Sequence, residues 1–283
     1  MVFIYKVYRI IIFSFIISHF AIVDKFLKNL SDVNLFKKNK DKYTSWSYQK
    51  ESFEKMYEDG TKEFLKRYHT ELFEENKFVR KRINELFQSL FTEKIQTLLD
   101  IGCGTGFYFS ALSEYTDKLY GIDVSTLFLK DAKNIIERNK IENAYVCMSL
   151  SEALPFSDQS FDCVFLFAVL HHLQNVDKAI EETHRVLKKN GKCIVIEPNI
   201  LNPAMFLFLC FKKHERGILS MPKFTLEKKF KELFSNVHSK PTTFQVTFTG
   251  PVSNMILSFL EKLPDKFLEF LSIHYVLIAE KKG

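Results

Sequence analysis

Within Leu98-Leu99-Asp100-Ile101-Gly102-Cys103-Gly104-Thr105-Gly106, a short apolar run ends in an acid and three glycines follow at alternate positions. A buried parallel strand that turns sharply into a helix beside a nucleotide-like ligand has this pattern. Glycine admits positive φ at the turn and lets a ligand approach the backbone where a Cβ would otherwise stand. The spacing also separates the candidate ligands. A dinucleotide fingerprint has its third glycine one position further on, where this chain carries Phe107. No Gly-Lys-Ser/Thr follows either, which excludes a Walker A phosphate loop.

Around this turn the apolar pattern alternates between strands and helices. Strands are expected at 95–101, 118–124, 144–148, 161–168 and 192–197, with helices at 107–114, from 125 to about 139, and at 177–189. The last helix is expected to stop at Asn190-Gly191, a C-terminal glycine signal. Such alternation implies a parallel sheet covered by helices on both faces. Beyond Pro198 the rhythm loosens. Leu226, Phe230, Leu233 and Phe234 make a helical stripe, 244–249 alternates as a half-exposed strand, and 273–279 reads as a final strand. Upstream, residues 46–94 read as helices. Phe64, Leu65, Tyr68, Leu72 and Phe73, then Val79, Ile83, Leu86, Phe87 and Leu90, recur at three- and four-residue steps. Helices placed just before the first strand can lie across the mouth of a site.

The chain of 283 residues is long enough for one full α/β core with added elements. Its five cysteines, Cys103, Cys147, Cys163, Cys193 and Cys210, are scattered without a CxxC pair, which argues against a disulfide framework or a zinc site and for a reducing compartment. Lys and Arg outnumber Asp and Glu by 18 to 13 in residues 1–96 and by 22 to 21 beyond. A near-neutral core leaves no basic groove for nucleic acid. The N-terminal run 10–23 is apolar apart from Ser14, Ser18 and His19, and lysines follow it. At fourteen residues it falls short of the roughly 20 of a spanning helix. Inserted, it would leave the remainder of the chain cytoplasmic; otherwise it is a helix packed on the domain. Both readings stay open, so residues 1–24 stand as a membrane anchor or an appended helix on a cytoplasmic protein.

Asp123 closes the second strand in Gly121-Ile122-Asp123-Val124-Ser125. A carboxylate there can accept from both ribose hydroxyls of a bound nucleoside. The competing role, capping the next helix, suits Ser125 better.

Together these segments resemble the class I S-adenosylmethionine-dependent methyltransferases of the small-molecule group called type 11. The residues that carry the likeness are LLDIGCGTG (98–106), GIDVS (121–125), SEALPFSDQSFDCV (151–164), VLHHL (169–173), RVLKKNGK (185–192) and IEPN (196–199). The resemblance implies a Rossmann-like, mostly parallel seven-stranded sheet with helices on both faces and an N-terminal helical extension. It implies a division into an N-terminal segment (1–24), a basic linker and helical lid (25–94), a donor-binding core (95–200) and substrate-side helices with the final strands (201–283). S-adenosyl-L-methionine is the implied cofactor, and no metal is implied.

By the same resemblance, Asp100 orients the methionine end of the cofactor, against which Gly102, Cys103, Gly104 and Gly106 lie. Asp123 holds the ribose, Val124 touches the adenine face, and the Ser151 N–H donates to the ring. Phe167 and Ala168 line the methionine end. Where the family has an acid, this chain has Leu150, which cannot accept from the adenine amino group; Ser149 or Ser151 is left to substitute. His171 is the candidate general base, with a purely structural role for His171 and His172 as the competing reading. Glu197 either touches substrate or caps a turn. Methyl transfer needs mainly alignment and exclusion of water, so no nucleophile or metal cluster is required. The apolar patches 205–211 and 255–260 point to a small-molecule or lipid-like acceptor rather than nucleic acid. An inactive S-adenosylmethionine-binding protein and a non-methylating transferase on the same fold are the alternatives.

Overall fold

The computed structural model describes residues 45–59, 76–203, 205–206, 217–218, 221–243, 251–260 and 262–283. Its centre is a seven-stranded sheet in the order β3-β2-β1-β4-β5-β7-β6. The strands are β1 (Ile95–Ile101), β2 (Thr116–Asp123), β3 (Ala144–Met148), β4 (Phe161–Phe167), β5 (Leu187–Pro198), β6 (Ser235–Thr242) and β7 (His274–Glu280). The first five are parallel, and β7 runs antiparallel between β5 and β6. The expected mostly parallel sheet of seven strands is therefore the observed one.

The period-2 alternation of side chains builds both faces from the same strands. Leu98, Phe165 and Ile194 point into one core with Val79, Ile83 and Phe87 of α2 (Lys77–Leu90), Phe109 and Leu112 of α3 (Phe109–Leu112), and Leu129 and Ala132 of α4 (Thr126–Arg138). Leu99, Val164 and Val195 point into the opposite core. There they meet Val176, Ala179 and Ile180 of α5 (Val176–Val186) and Leu226 and Phe230 of α6 (Lys223–Lys231). Each fully buried side chain of this kind contributes about 1.5–3 kcal/mol. β4, FDCVFLF, is apolar at all but one position because both of its faces are covered.

Side chains fix where the helices start. Asn76 accepts from Phe78 N (2.9 Å) and Val79 N (3.3 Å), Ser125 from Phe128 N (3.3 Å), and Asn175 from Lys178 N (3.0 Å). The stripe Val79, Ile83, Leu86, Phe87 and Leu90 is buried as its spacing predicts.

Three sequence expectations are corrected. The helix expected at 107–114 is α3 followed by a 3₁₀ turn at Ser113–Tyr115. Asn143 Nδ2 donates to Ser113 O (3.1 Å) and Thr116 O (2.9 Å), and β2 begins at Thr116. The helix expected at 177–189 ends at Val186, because Leu187 is fully buried and pairs with Phe161 in the sheet. Lys281 Nζ takes the released carbonyls of His184 (2.6 Å) and Leu187 (2.8 Å). Gly191 is thus a buried strand residue rather than a helix cap; Asn190 adopts φ +61° in the bulge beside it. Leu233 follows the end of α6 and is exposed, so the apolar stripe is Leu226, Phe230 and Phe234.

The strand expected at 244–249 and the apolar stripe at 64–73 lie outside the described residues, as does the run 1–24. Among the described residues no helix is long and apolar enough to cross a membrane. Of the patch at 205–211, Met205 and Phe206 are described; in α7 (Pro251–Leu260), Met255 and Phe259 are exposed. A further short helix, α8 (Asp265–Leu271), leads into β7.

Candidate active site

The strand order reverses between β1 and β4, and at the carboxyl ends of β1, β2 and β4 the chain leaves a cleft of about 280 Å³. The glycine-rich turn forms its floor. Gly102, Gly104 and Gly106 have φ of +70°, +54° and +76°. Gly102 N and Cys103 N both donate to Ile122 O, at 2.8 and 2.9 Å, which pins the turn to β2. A Cβ on Gly102 would stand 2.5 Å from Val169 Cγ2, whereas one on Gly104 would meet nothing within 4 Å. The first glycine serves packing. The second leaves open space above the backbone, where a ligand can lie.

Two carboxylates flank that space. Asp123 Oδ2 accepts from Gly104 N (3.0 Å) and Oδ1 from Ser125 N (2.8 Å). Burial pushes the Asp123 carboxyl up to about 6; the amides of Ser125, Gly104 and Val124 pull against this, and the charge of Glu54 adds to it. Asp100, 3% exposed at the end of β1, is held well above the usual carboxylate range by burial and then by the charge of Asp123. Two desolvated acids on one cleft favour a ligand that brings cationic or hydroxyl donors. Burial, then Asp100 and Asp123, raise the Cys103 thiol, which keeps it protonated and excludes it as a nucleophile at neutral pH.

Along one wall run Val124, Ser149, Leu150, Ser151 and Glu152. Ser149 Oγ donates to Leu150 O (3.1 Å) and Ala153 O (3.2 Å), and Ser151 Oγ donates to Glu152 Oε2 (2.8 Å). Both hydroxyls are thus bound to nearby chain, and partly exposed Leu150 leaves the wall apolar at that point. Phe167 and Ala168 close the far end with Met205, Ile218, Ile273 and His274. The Phe167 ring lies 4.9 Å from Tyr108 and 5.6 Å from His274. Ala168 takes φ +55° while its N–H donates to Ile196 O (2.8 Å), so the backbone turns there into the loop that carries His171.

The helices expected within 46–94 reach the mouth through residues that the apolar stripes of that region do not include. Trp46, Gln49, Lys50 and Phe53 of α1 (Trp46–Glu58) line the cleft. Glu54 Oε1 accepts from Ser125 Oγ (2.8 Å), and the Tyr57 hydroxyl donates to Asp131. Phe53 packs edge-on to Phe128 at 6.3 Å and to His172 at 5.1 Å. The only sequence signal for this roof was its position ahead of β1.

Glu197, at the end of β5, holds the loop after β4. Its Oε1 accepts from Val169 N (3.0 Å) and Leu170 N (2.8 Å), and its Oε2 meets His171 Nδ1 at 2.5 Å. The rings of His171 and His172 are tilted at 47° with centroids 3.8 Å apart, and both residues line the cleft. Among the described residues no group of three His, Cys, Asp or Glu is placed to hold a metal ion.

The sheet order, the positive-φ glycine turn and the acid ending β2 define a Rossmann-like α/β domain with its ligand cleft at the switch point. Comparisons with known proteins agree. A family described as a methyltransferase domain matches residues 99–195. An uncharacterized protein of Methanocaldococcus jannaschii, MJ0638, is 30% identical over 177 residues, which cover 61% of this chain and 72% of that one. The ubiquinone/menaquinone biosynthesis C-methyltransferase UbiE of Escherichia coli is 35% identical over 106 residues, covering 36% of this chain and 42% of the relative. The chain spans about two fifths of the length of several curated relatives it matches. In fold it is similar to phosphoethanolamine N-methyltransferase 2 of Haemonchus contortus, solved with phosphomonomethylethanolamine and S-adenosylhomocysteine. That likeness has a TM-score of 0.53 at 20% identity and covers 71% of this chain and 52% of that one. Residues 99–195 belong to the methyltransferase-domain family, on a fold shared with a solved S-adenosylmethionine-dependent methyltransferase of Aquifex aeolicus.

Proposed function

We propose that the cleft binds S-adenosylmethionine and directs in-line transfer of its methyl group to a small-molecule or lipid-like acceptor. The observation that carries this reading is the pair of desolvated acids, Asp100 and Asp123, that line the same cleft as the open space over Gly104. Asp100 suits the ammonium of the methionine end and Asp123 the ribose hydroxyls. Val124 and Leu150 offer apolar faces to the adenine, and the Ser151 N–H is the donor to its ring. Once bound, the sulfonium supplies the electrophilic methyl. The chain's own work is to hold the donor on the glycine turn, to exclude water with α1, and to present the acceptor from the side of Phe167 and Ala168.

Met205, Ile218, Ile273 and Phe167 give that side an apolar wall, which supports an apolar acceptor over a highly charged one. UbiE, whose name places it in quinone biosynthesis, supports the same class. The test is transfer of tritiated methyl to cell extract separated into lipid, small-molecule, protein and RNA pools. Label in the lipid or small-molecule pool is the expected result, and label confined to protein or RNA contradicts it. Leu150 favours a second reading, a donor-binding protein without turnover. Calorimetric binding of S-adenosylmethionine with no methyl released to any pool would select it.

A further inference from the structure

Trp46, Gln49, Lys50 and Phe53 recur at helical spacing, so one face of α1 looks into the cleft. That face is held in place from its flank, by Glu54 on Ser125 and Tyr57 on Asp131. Phe53 also packs on His172, which sets the helix against the loop after β4. Among the described residues that line the cleft, Lys50 is the one Lys or Arg, facing the acids Asp100, Asp123 and Glu152 across the same space. Lys50 is half-buried, and among the described residues no hydrogen bond or ion pair engages its ammonium. A cation held at a cleft without a protein partner suits an anionic group on the ligand.

The backbone nearby offers that anion little. In the glycine turn, Gly102 N and Cys103 N donate to Ile122 O, Gly104 N to Asp123 Oδ2, and Gly106 N to Cys103 O (3.0 Å). In the loop after β4, Ala168 N donates to Ile196 O, Val169 N and Leu170 N to Glu197, and His172 N to Val169 O (2.9 Å). Amides spent inside the fold leave the charge partner of a bound anion to a side chain.

Resting on the donor-binding reading, we propose that Lys50 binds the carboxylate of the donor's methionine portion and makes the site select S-adenosylmethionine over its decarboxylated form. Asp100 takes the ammonium of the same portion, so a strand end and the roof read the two charges of one zwitterion. Because Lys50 is carried on α1, the contact also ties the roof to the bound donor. A donor without the carboxylate keeps the groups that suit Asp100 and Asp123 but leaves Lys50 unpaired, and its net positive charge then faces a like charge.

The test is calorimetry on the full chain with S-adenosylmethionine, decarboxylated S-adenosylmethionine and methylthioadenosine, which lacks the whole amino-acid portion. Wild type should bind S-adenosylmethionine at least about tenfold more tightly than the decarboxylated form, the low end for a charged hydrogen bond because Lys50 is partly solvated. Added salt should narrow that preference. Lys50→Met keeps the apolar stem and removes the charge. It should lose about tenfold in affinity for S-adenosylmethionine and lose nothing for the other two ligands. Lys50→Arg keeps the charge and should stay within about threefold of wild type. Equal wild-type affinity for S-adenosylmethionine and its decarboxylated form overturns the proposal. So does a Lys50→Met protein that loses methylthioadenosine as severely as S-adenosylmethionine, the mark of a roof that has lost its packing. The wild-type preference needs no variant, so it decides even where Lys50→Met fails to fold. Failure of wild type to bind either S-adenosylmethionine or methylthioadenosine would instead refute the donor-binding reading itself.

Discussion

Replacing Gly104 with alanine separates the demands of the fold from those of the ligand. At φ +54° an L-residue carries a left-handed penalty of about 1–2 kcal/mol. The new methyl meets nothing within 4 Å, so no overlap adds to that cost. It does occupy the space proposed for the donor, where crowding of a packed contact costs about 1–3 kcal/mol, or roughly 5- to 150-fold in Kd. Gly102→Ala is the contrast. Its φ of +70° brings a similar backbone penalty, and its methyl would stand 2.5 Å from Val169 Cγ2, adding about 1–3 kcal/mol of overpacking to the fold. Urea unfolding without donor and calorimetry with S-adenosylmethionine measure the two effects. Gly104→Ala should lose more in affinity than in stability, and Gly102→Ala should be the less stable of the two. A Gly104→Ala protein that binds donor with the wild-type Kd would refute the placement of the ligand over this turn.

Other expectations follow from the same geometry. Asp123 without donor has its carboxyl at about 6, so donor affinity should fall as the pH drops through that value and the acceptor of ribose hydroxyls is lost. The native carboxyl keeps a proton that the unfolded chain has already released, so Asp123 makes the donor-free fold less stable as the pH rises from about 4 to 6; Asp123→Asn should remove that contribution from pH-dependent urea melts. Leu150→Asp restores an acceptor on the adenine wall and should tighten S-adenosylmethionine by about tenfold in calorimetry, one charged hydrogen bond's worth. Arg185 grips Glu182 through Nε (2.9 Å) and Nη2 (2.8 Å), and donates to Phe156 O (2.8 Å) and Leu154 O (3.1 Å). Arg185→Ala should therefore cost about 2–4 kcal/mol in urea melts while the donor Kd of the folded fraction is unchanged.

What could be read in the sequence was what local pattern controls. The apolar run of β4 and the shorter Leu98-Leu99 run of β1 announced strands buried on both faces, and the spacing of Gly102, Gly104 and Gly106 announced the turn from β1 toward α3. Ser125 was legible as a helix cap because capping is a local hydrogen bond, and it does accept from Phe128 N. β6 was not legible. Its sequence, SNVHSKPT, is polar and contains Pro241, which an edge strand tolerates because one side of it makes no ladder. The end of α5 was misread because Asn190-Gly191 looks like a helix cap, while the pairing of Leu187 with Phe161, a contact across 26 residues, ends the helix earlier. The alternatives for Glu197, substrate contact or turn cap, were both too simple. It binds two loop amides and His171 across 26 residues or more, which no spacing rule reveals. The roof formed by Phe53, Glu54 and Tyr57 is likewise tertiary, since their partners Phe128, Ser125 and Asp131 lie more than 70 residues away.

The most direct test of the central claim is calorimetric titration of S-adenosylmethionine into wild type and Asp123→Ala at pH 7.5, with a nicotinamide dinucleotide titrated in parallel. Wild type should bind S-adenosylmethionine at one site and ignore the dinucleotide, and the loss of Asp123 should weaken binding by at least about tenfold, the value of one or two charged hydrogen bonds. Equal affinity in both proteins, or preference for the dinucleotide, would contradict it.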